Sequence, residues 1–128
     1  MVLVSVTRIQ IHAVWRPAFL LLTWLIARQV ARSPGYLGGR LLASGQGTYW
    51  TVTAWDDEAS MRRFRDRGRH ATGLRRSRRW AGSMDAARYE ADSAAFAGWD
   101  DAARRLGHPT PGGVGTGAEV IIASKARA

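Results

Sequence analysis

Residues 2 to 13, VLVSVTRIQIHA, separate two faces by alternation. Val2, Val4, Val6, Arg8, Gln10 and His12 share one face; Leu3, Ser5, Thr7, Ile9 and Ile11 share the other. The β-branched run predicts a strand whose first face starts apolar and turns polar. Pro17 suits the first turn of a following helix, where its missing N–H is not needed. Phe19, Thr23, Ile26 and Val30 recur at helical spacing as far as about Arg32, and Leu22 and Trp24 widen that apolar face. Ser33-Pro34-Gly35 stops the helix. Its centre, AFLLLTWLIA at 18–27, is shorter than the about 20 residues a bilayer requires. It reads as a buried helix rather than a signal peptide, and no membrane span is expected.

Tyr36 to Ser44 reads as a second strand and Thr48 to Trp55 as a third, joined by the turn Gly45-Gln46-Gly47. In the third strand Tyr49, Thr51, Thr53 and Trp55 alternate with Trp50, Val52 and Ala54. Neither set is charged, so both sides of this sheet are expected to be covered. Asp56 or Asp57 caps a second helix whose apolar face is Met61, Phe64, Gly68, Ala71 and Leu74. Asp66 offers a carboxylate to Arg62, Arg63 and Arg69. A short helix is expected over Ser93–Leu106, closed by Gly107 and Pro109. Beyond it the chain is Gly-rich, with room for an edge strand at Glu119–Ser124.

The chain of 128 residues has room for one domain. Cysteine is absent, which excludes disulfides, thiolate metal sites and cysteine nucleophiles and fits a cytoplasmic protein. The net charge is +9 and, of 19 basic residues, only Lys125 is not arginine. That composition points to a GC-rich bacterial genome. Such charge favours encounter with anionic surfaces but does not define a fold. The nine arginines between 62 and 79 read as the solvated back of the second helix, with phosphate or acidic-substrate recruitment as the minor reading. No specific nucleic-acid partner is expected, because a reader would interleave aromatics on an exposed sheet.

Three features carry a family resemblance. Pro34-Gly35-Tyr36-Leu37-Gly38 opens the second strand; Tyr49 to Trp55 runs aromatic-Trp-Thr-hydrophobe-Thr-x-Trp into acidic residues; and Met61, Phe64 and Gly68-Arg69-His70 follow. From about Val14 to Leu106 the chain resembles the antibiotic biosynthesis monooxygenase-like group of the dimeric α+β barrel superfamily. The resemblance makes Trp80–Asp92 a strand and implies an α+β, ferredoxin-like β-α-β-β-α-β fold with an antiparallel sheet. The domain is then 1–107, with a Gly-rich tail at 108–128. A second copy, packed sheet against sheet, would cover the spare face and leave a pocket between each sheet and its own helices. Relatives of this kind include cofactor-free oxygenases of aromatic polyketides, haem-dependent enzymes, and cyclases or isomerases of specialised metabolism.

The expected function is therefore a cofactor-independent, monooxygenase-like enzyme acting as a homodimer on a hydrophobic or aromatic small molecule. Cyclase, isomerase, haem-binding oxygenase and non-catalytic binding protein remain alternatives. His70 lies roughly 120° from the centre of the apolar face of its helix, at about 100° per residue, and can reach a pocket or solvent. It is a candidate general base or axial haem ligand. His12 and Arg8 are further catalytic candidates, as proton carrier and as stabiliser of a developing negative charge, if their strand face with Gln10 lines a cavity. Tyr49, Trp50, Trp55 and Trp80 offer flat apolar surface for a ring-shaped ligand. Thr51 and Thr53 are orienting groups if their face is the inner one. Three scattered histidines make no metal site. GGVGTG at 112–117 has no preceding strand and following helix to make it a dinucleotide fingerprint.

Overall fold

A computed structural model describes residues 2–44, 47–66, 79–109 and 118–122, the last of these by backbone alone. The elements run β1 (Val2–Ile11), a 3-10 turn (Ala13–Trp15), α1 (Arg16–Ala31), β2 (Tyr36–Ala43), β3 (Thr48–Trp55), α2 (Glu58–Arg65), β4 (Ala81–Ala91), α3 (Trp99–Leu106) and β5 (Ala118–Ile122). The strands form one antiparallel sheet in the order β4-β1-β3-β2-β5. The first four strands and first two helices are the ferredoxin-like β-α-β-β-α-β core. β5 lengthens the sheet at the β2 edge.

Register fixes which residues share a face, because antiparallel partners point the same way. Ser5 pairs with Thr53 and Thr7 with Thr51; Thr53 also pairs with Gly39 and Thr51 with Leu41. This face looks at α1 and α2. Two apolar clusters form there. One joins Ile9, Ile11, Phe19, Tyr49 and Trp80; the other joins Val30, Tyr36, Trp55, Met61 and Phe64. The opposite face carries Val4, Val6, Leu42, Trp50, Val52 and Ala54, all buried, and α3 packs Trp99, Ala102 and Ala103 onto them.

Several expectations change here. A second copy was expected over the spare sheet face, but α3 of the same chain already covers its apolar centre. α3 starts at Trp99 rather than Ser93, because Gly98 takes φ +100° and breaks the backbone path just before it. β1 ends at Ile11, so His12 leaves the strand and sits exposed before the 3-10 turn. Trp24 does not widen the buried face of α1. It lies two residues from both Leu22 and Ile26, about 200° around the helix, and is 56% exposed. The helix expected beyond Arg65, with His70, Gly68, Ala71 and Leu74, falls outside the described residues. Arg62 pairs with Glu58, one turn earlier, and Asp66 pairs with Arg65.

Candidate functional site

Between the two helix-side clusters the sheet changes character. Ser5, Thr7, Thr51 and Thr53 occupy adjacent positions of the two central strands, where a sheet under a helix layer is usually driest. All four are only partly buried, while their neighbours Val4, Val6, Val52 and Ala54 on the other face are closed off. The helix side is therefore a cleft with a hydroxyl floor. Its ends are aromatic: Phe19 against Tyr49 at 4.7 Å between ring centroids, and Trp55 against both Tyr36 at 5.5 Å and Phe64 at 5.3 Å. Towards β4 the cover thins, and Met84, Ala86, Arg88 and Glu90 are exposed. Arg88 reaches Glu58 of α2 at 3.4 Å across that side, and Glu58 also holds Arg62 at 2.8 Å.

The floor has a defined polarity. The Trp55 indole N–H donates to the Thr53 hydroxyl at 3.0 Å, which fixes one oxygen as an acceptor with its own proton still to give. No hydrogen bond ties the Ser5, Thr7 or Thr51 hydroxyl to another described residue. Such groups suit a ligand's carbonyl or phenol oxygen. Tyr36 belongs to the Pro34–Gly38 step noted in the sequence but was not among the expected site residues. Its hydroxyl lies beside Gly39 and Thr53: a Cβ on Gly39 would sit 3.0 Å from that oxygen and 3.1 Å from Thr53 Cγ2. Burial pushes the Tyr36 phenol up to about 12, so it stays neutral and acts as a hydrogen-bonding group rather than a base.

The sheet divides the residues that the sequence put forward. Tyr49, Thr51, Thr53, Trp55 and Trp80 lie on the helix side. Trp80 stacks on Trp15 with centroids 5.4 Å apart. Arg8, Gln10 and Trp50 lie on the α3 side, where Arg8 rests over the Trp50 ring at 5.6 Å. Gln10 is exposed and bonds Ser83 at 2.8 Å. His12 turns its ring towards Gly82. Arg8 and His12 therefore do not meet Thr51 and Thr53. His108, which the sequence did not suggest, approaches Asp85 at 2.6 Å, again on the α3 side. No group of three metal-ligating side chains occurs among the described residues, and no helix there is long and apolar enough to cross a membrane.

The sequence of the family described as antibiotic biosynthesis monooxygenase matches residues 2–76. The chain belongs to that family. The match ends before β4, so it covers the strands that build the cleft floor and both helices over it. Solved structures give the same fold. The cofactor-independent oxygenase SnoaB of Streptomyces nogalater is 22% identical, with a TM-score of 0.60 over 70% of this chain and 92% of its own. Rv0793 of Mycobacterium tuberculosis is 10% identical, with a TM-score of 0.66 over 74% and 100%. A conserved protein of Methanosarcina mazei is 11% identical, with a TM-score of 0.64 over 70% and 92%. At these identities the likeness establishes the fold. Among proteins of curated function, none matches.

Proposed function

We propose that this member of the antibiotic biosynthesis monooxygenase family is a cofactor-independent oxygenase of a hydrophobic, aromatic small molecule. The observation that carries the reading is the cleft itself: the Ser5, Thr7 and Thr51 hydroxyls, without a hydrogen-bond partner among the described residues, lie on a central floor with aromatic surface at both ends. A flat ring system gains apolar contact at the ends while its oxygens take hydrogen bonds from the floor. SnoaB, a cofactor-independent oxygenase with this fold, supports the same class of chemistry.

The reaction needs a base and a dry, oriented carbon acid. Removal of a proton from a CH2 group flanked by phenolic or carbonyl functions gives an electron-rich carbanion. The carbanion passes electrons to O2 and a C–O bond forms. Loss of the second C–H proton as the O–O bond breaks leaves a carbonyl and releases water. The substrate supplies all the electrons, so one CH2 and one O2 give one C=O and one H2O. Thr51, Ser5 and Thr7 would hold the anionic oxygen, and Tyr36 would remain a neutral donor beside them. The described part of the floor offers no base titrating near neutrality. His12 is exposed beyond β1 and His108 faces Asp85 on the other side of the sheet. His70 lies in the chain between α2 and β4, the two elements flanking the cleft's polar side, and is assigned the base. The working form is taken to be a cytoplasmic homodimer.

An oxygen electrode tests the reading with metal-stripped protein and tricyclic phenols carrying an activated CH2 group. One O2 should be consumed per substrate without hydrogen peroxide, and His70→Ala should lower kcat about a hundredfold or more. Turnover that continues without oxygen makes the protein a cyclase or isomerase. A saturable haemin Soret shift lost in His70→Ala makes it a haem protein. Binding with no turnover makes it a carrier.

A further inference from the structure

α1 is apolar on two sides. Its buried line, Phe19, Leu22, Ile26 and Val30, faces the sheet. A second line faces outward at the same helical spacing: Pro17, Leu20 and Leu21, Trp24, then Arg28. Val14, just before the helix, is 77% exposed, Leu21 61%, Trp24 56% and Leu20 48%. A helix that is apolar all round is normally buried or spans a membrane. This one is not buried, and its 16 residues are too few to span. The proposed oxygenase chemistry does not use this face.

Charge around the stripe identifies what it fits. Helix α1 and its C-cap carry Arg16, Arg28 and Arg32 and no Asp or Glu. Arg28 and Arg32 are exposed one turn apart at the end of the stripe, and the Arg28 guanidinium rests 5.0 Å over the Trp24 ring. An indole beneath a guanidinium, beside exposed leucines, matches the layering of a lipid interface. Acyl chains take the leucines, the headgroup boundary takes the indole, and lipid phosphates take the arginines. We propose that the outer face of α1 docks the protein, lying flat, on an anionic lipid surface.

Co-sedimentation with vesicles of equimolar phosphatidylcholine and phosphatidylglycerol tests this, beside vesicles of phosphatidylcholine alone. The variant Leu21→Gln/Trp24→Gln keeps the net charge and alters only exposed side chains, so its melting temperature should match the wild type. The wild type should bind the anionic vesicles, and the double variant about tenfold or more weakly. Leu21→Gln alone should show part of that loss, and Arg28→Gln/Arg32→Gln should reduce the preference for anionic lipid. Equal binding by wild type and Leu21→Gln/Trp24→Gln, abolished in both by salt, overturns the proposal, since net charge alone would then be at work. No wild-type binding overturns it as well. So does a wild-type dimer that this double variant splits, because a second copy would then occupy the stripe.

Discussion

The two faces of this sheet use the same strands for opposite ends. On the α3 side, Val4, Val6, Val52 and Ala54 meet Trp99, Ala102 and Ala103, and the surface is closed. On the α1–α2 side, residues displaced by one position, Ser5, Thr7, Thr51 and Thr53, leave the middle of the sheet reachable. Because side chains alternate along a strand, one sequence can place a solid core behind a polar floor without compromise between them. The family fold supplies the strands; the choice of Thr and Ser on alternate positions makes the cleft.

Substitutions can break that contrast, and the largest effect is expected on the closed face. Trp99→Ala empties the anchor of α3 and should cost about 3–5 kcal/mol in urea unfolding, while ligand affinity per folded molecule changes little. Equal loss of affinity and stability would mean that the two faces are not independent. Gly39→Ala should cost about 1–3 kcal/mol, since its Cβ meets the Val52 carbonyl, the Tyr36 hydroxyl and Thr53 within about 3 Å. Unlike Trp99→Ala it should also disturb the cleft, and a ligand titration of the folded variant checks this.

Tyr36 sharpens the contrast through pH. Its phenol is raised from 10.0 to about 12 by burial, so the folded chain holds that proton more tightly than the unfolded one. The resulting stability is complete below pH 10 and is lost as pH rises through about 12. Thermal melts over that window should show the decline, and Tyr36→Phe should flatten it. The smallest effect is expected at Asp101 on α3. Its carboxyl is held below 3.8 by the hydrogen bond from Arg105, then by the charges of Arg105 and Arg104. That stability is present above pH 3.8 and is lost as pH falls through the lowered value. Asp101→Asn should remove this acid-side slope with a small change in melting temperature, because Arg104 is exposed and screened by solvent.

Much of this was legible in the chain. β3 runs from Thr48 to Trp55 as its aromatic alternation predicts, and Pro17 and Ser33-Pro34-Gly35 bracket α1 within a residue or two. Alternation also placed Trp50 opposite Tyr49 and Thr51, but it could not say which face meets the helices. Ser5 and Thr7 gained meaning only from the β1–β3 register, which no local pattern encodes. Tyr36 was hidden for a related reason: its hydroxyl reaches the floor because Gly39, on the same strand past a bulge, leaves room. The short helix α3 was expected but its place over the other face was not, because the packing partner of a helix is set by tertiary contacts that no local pattern encodes. Trp24 was misplaced because α1 carries apolar residues all round, so composition did not reveal which side is buried.

The central claim is that ligand binds on the hydroxyl floor and not on the arginine-bearing face behind it. The most direct test is the affinity of one planar phenolic ligand, measured by equilibrium titration for wild type, Thr51→Val and Arg8→Gln. Thr51→Val keeps the side-chain shape but removes the hydroxyl, and should weaken binding about fivefold or more. Arg8→Gln should leave it unchanged. Weakened binding in Arg8→Gln with none in Thr51→Val would move the site to the α3 side of the sheet and contradict the account.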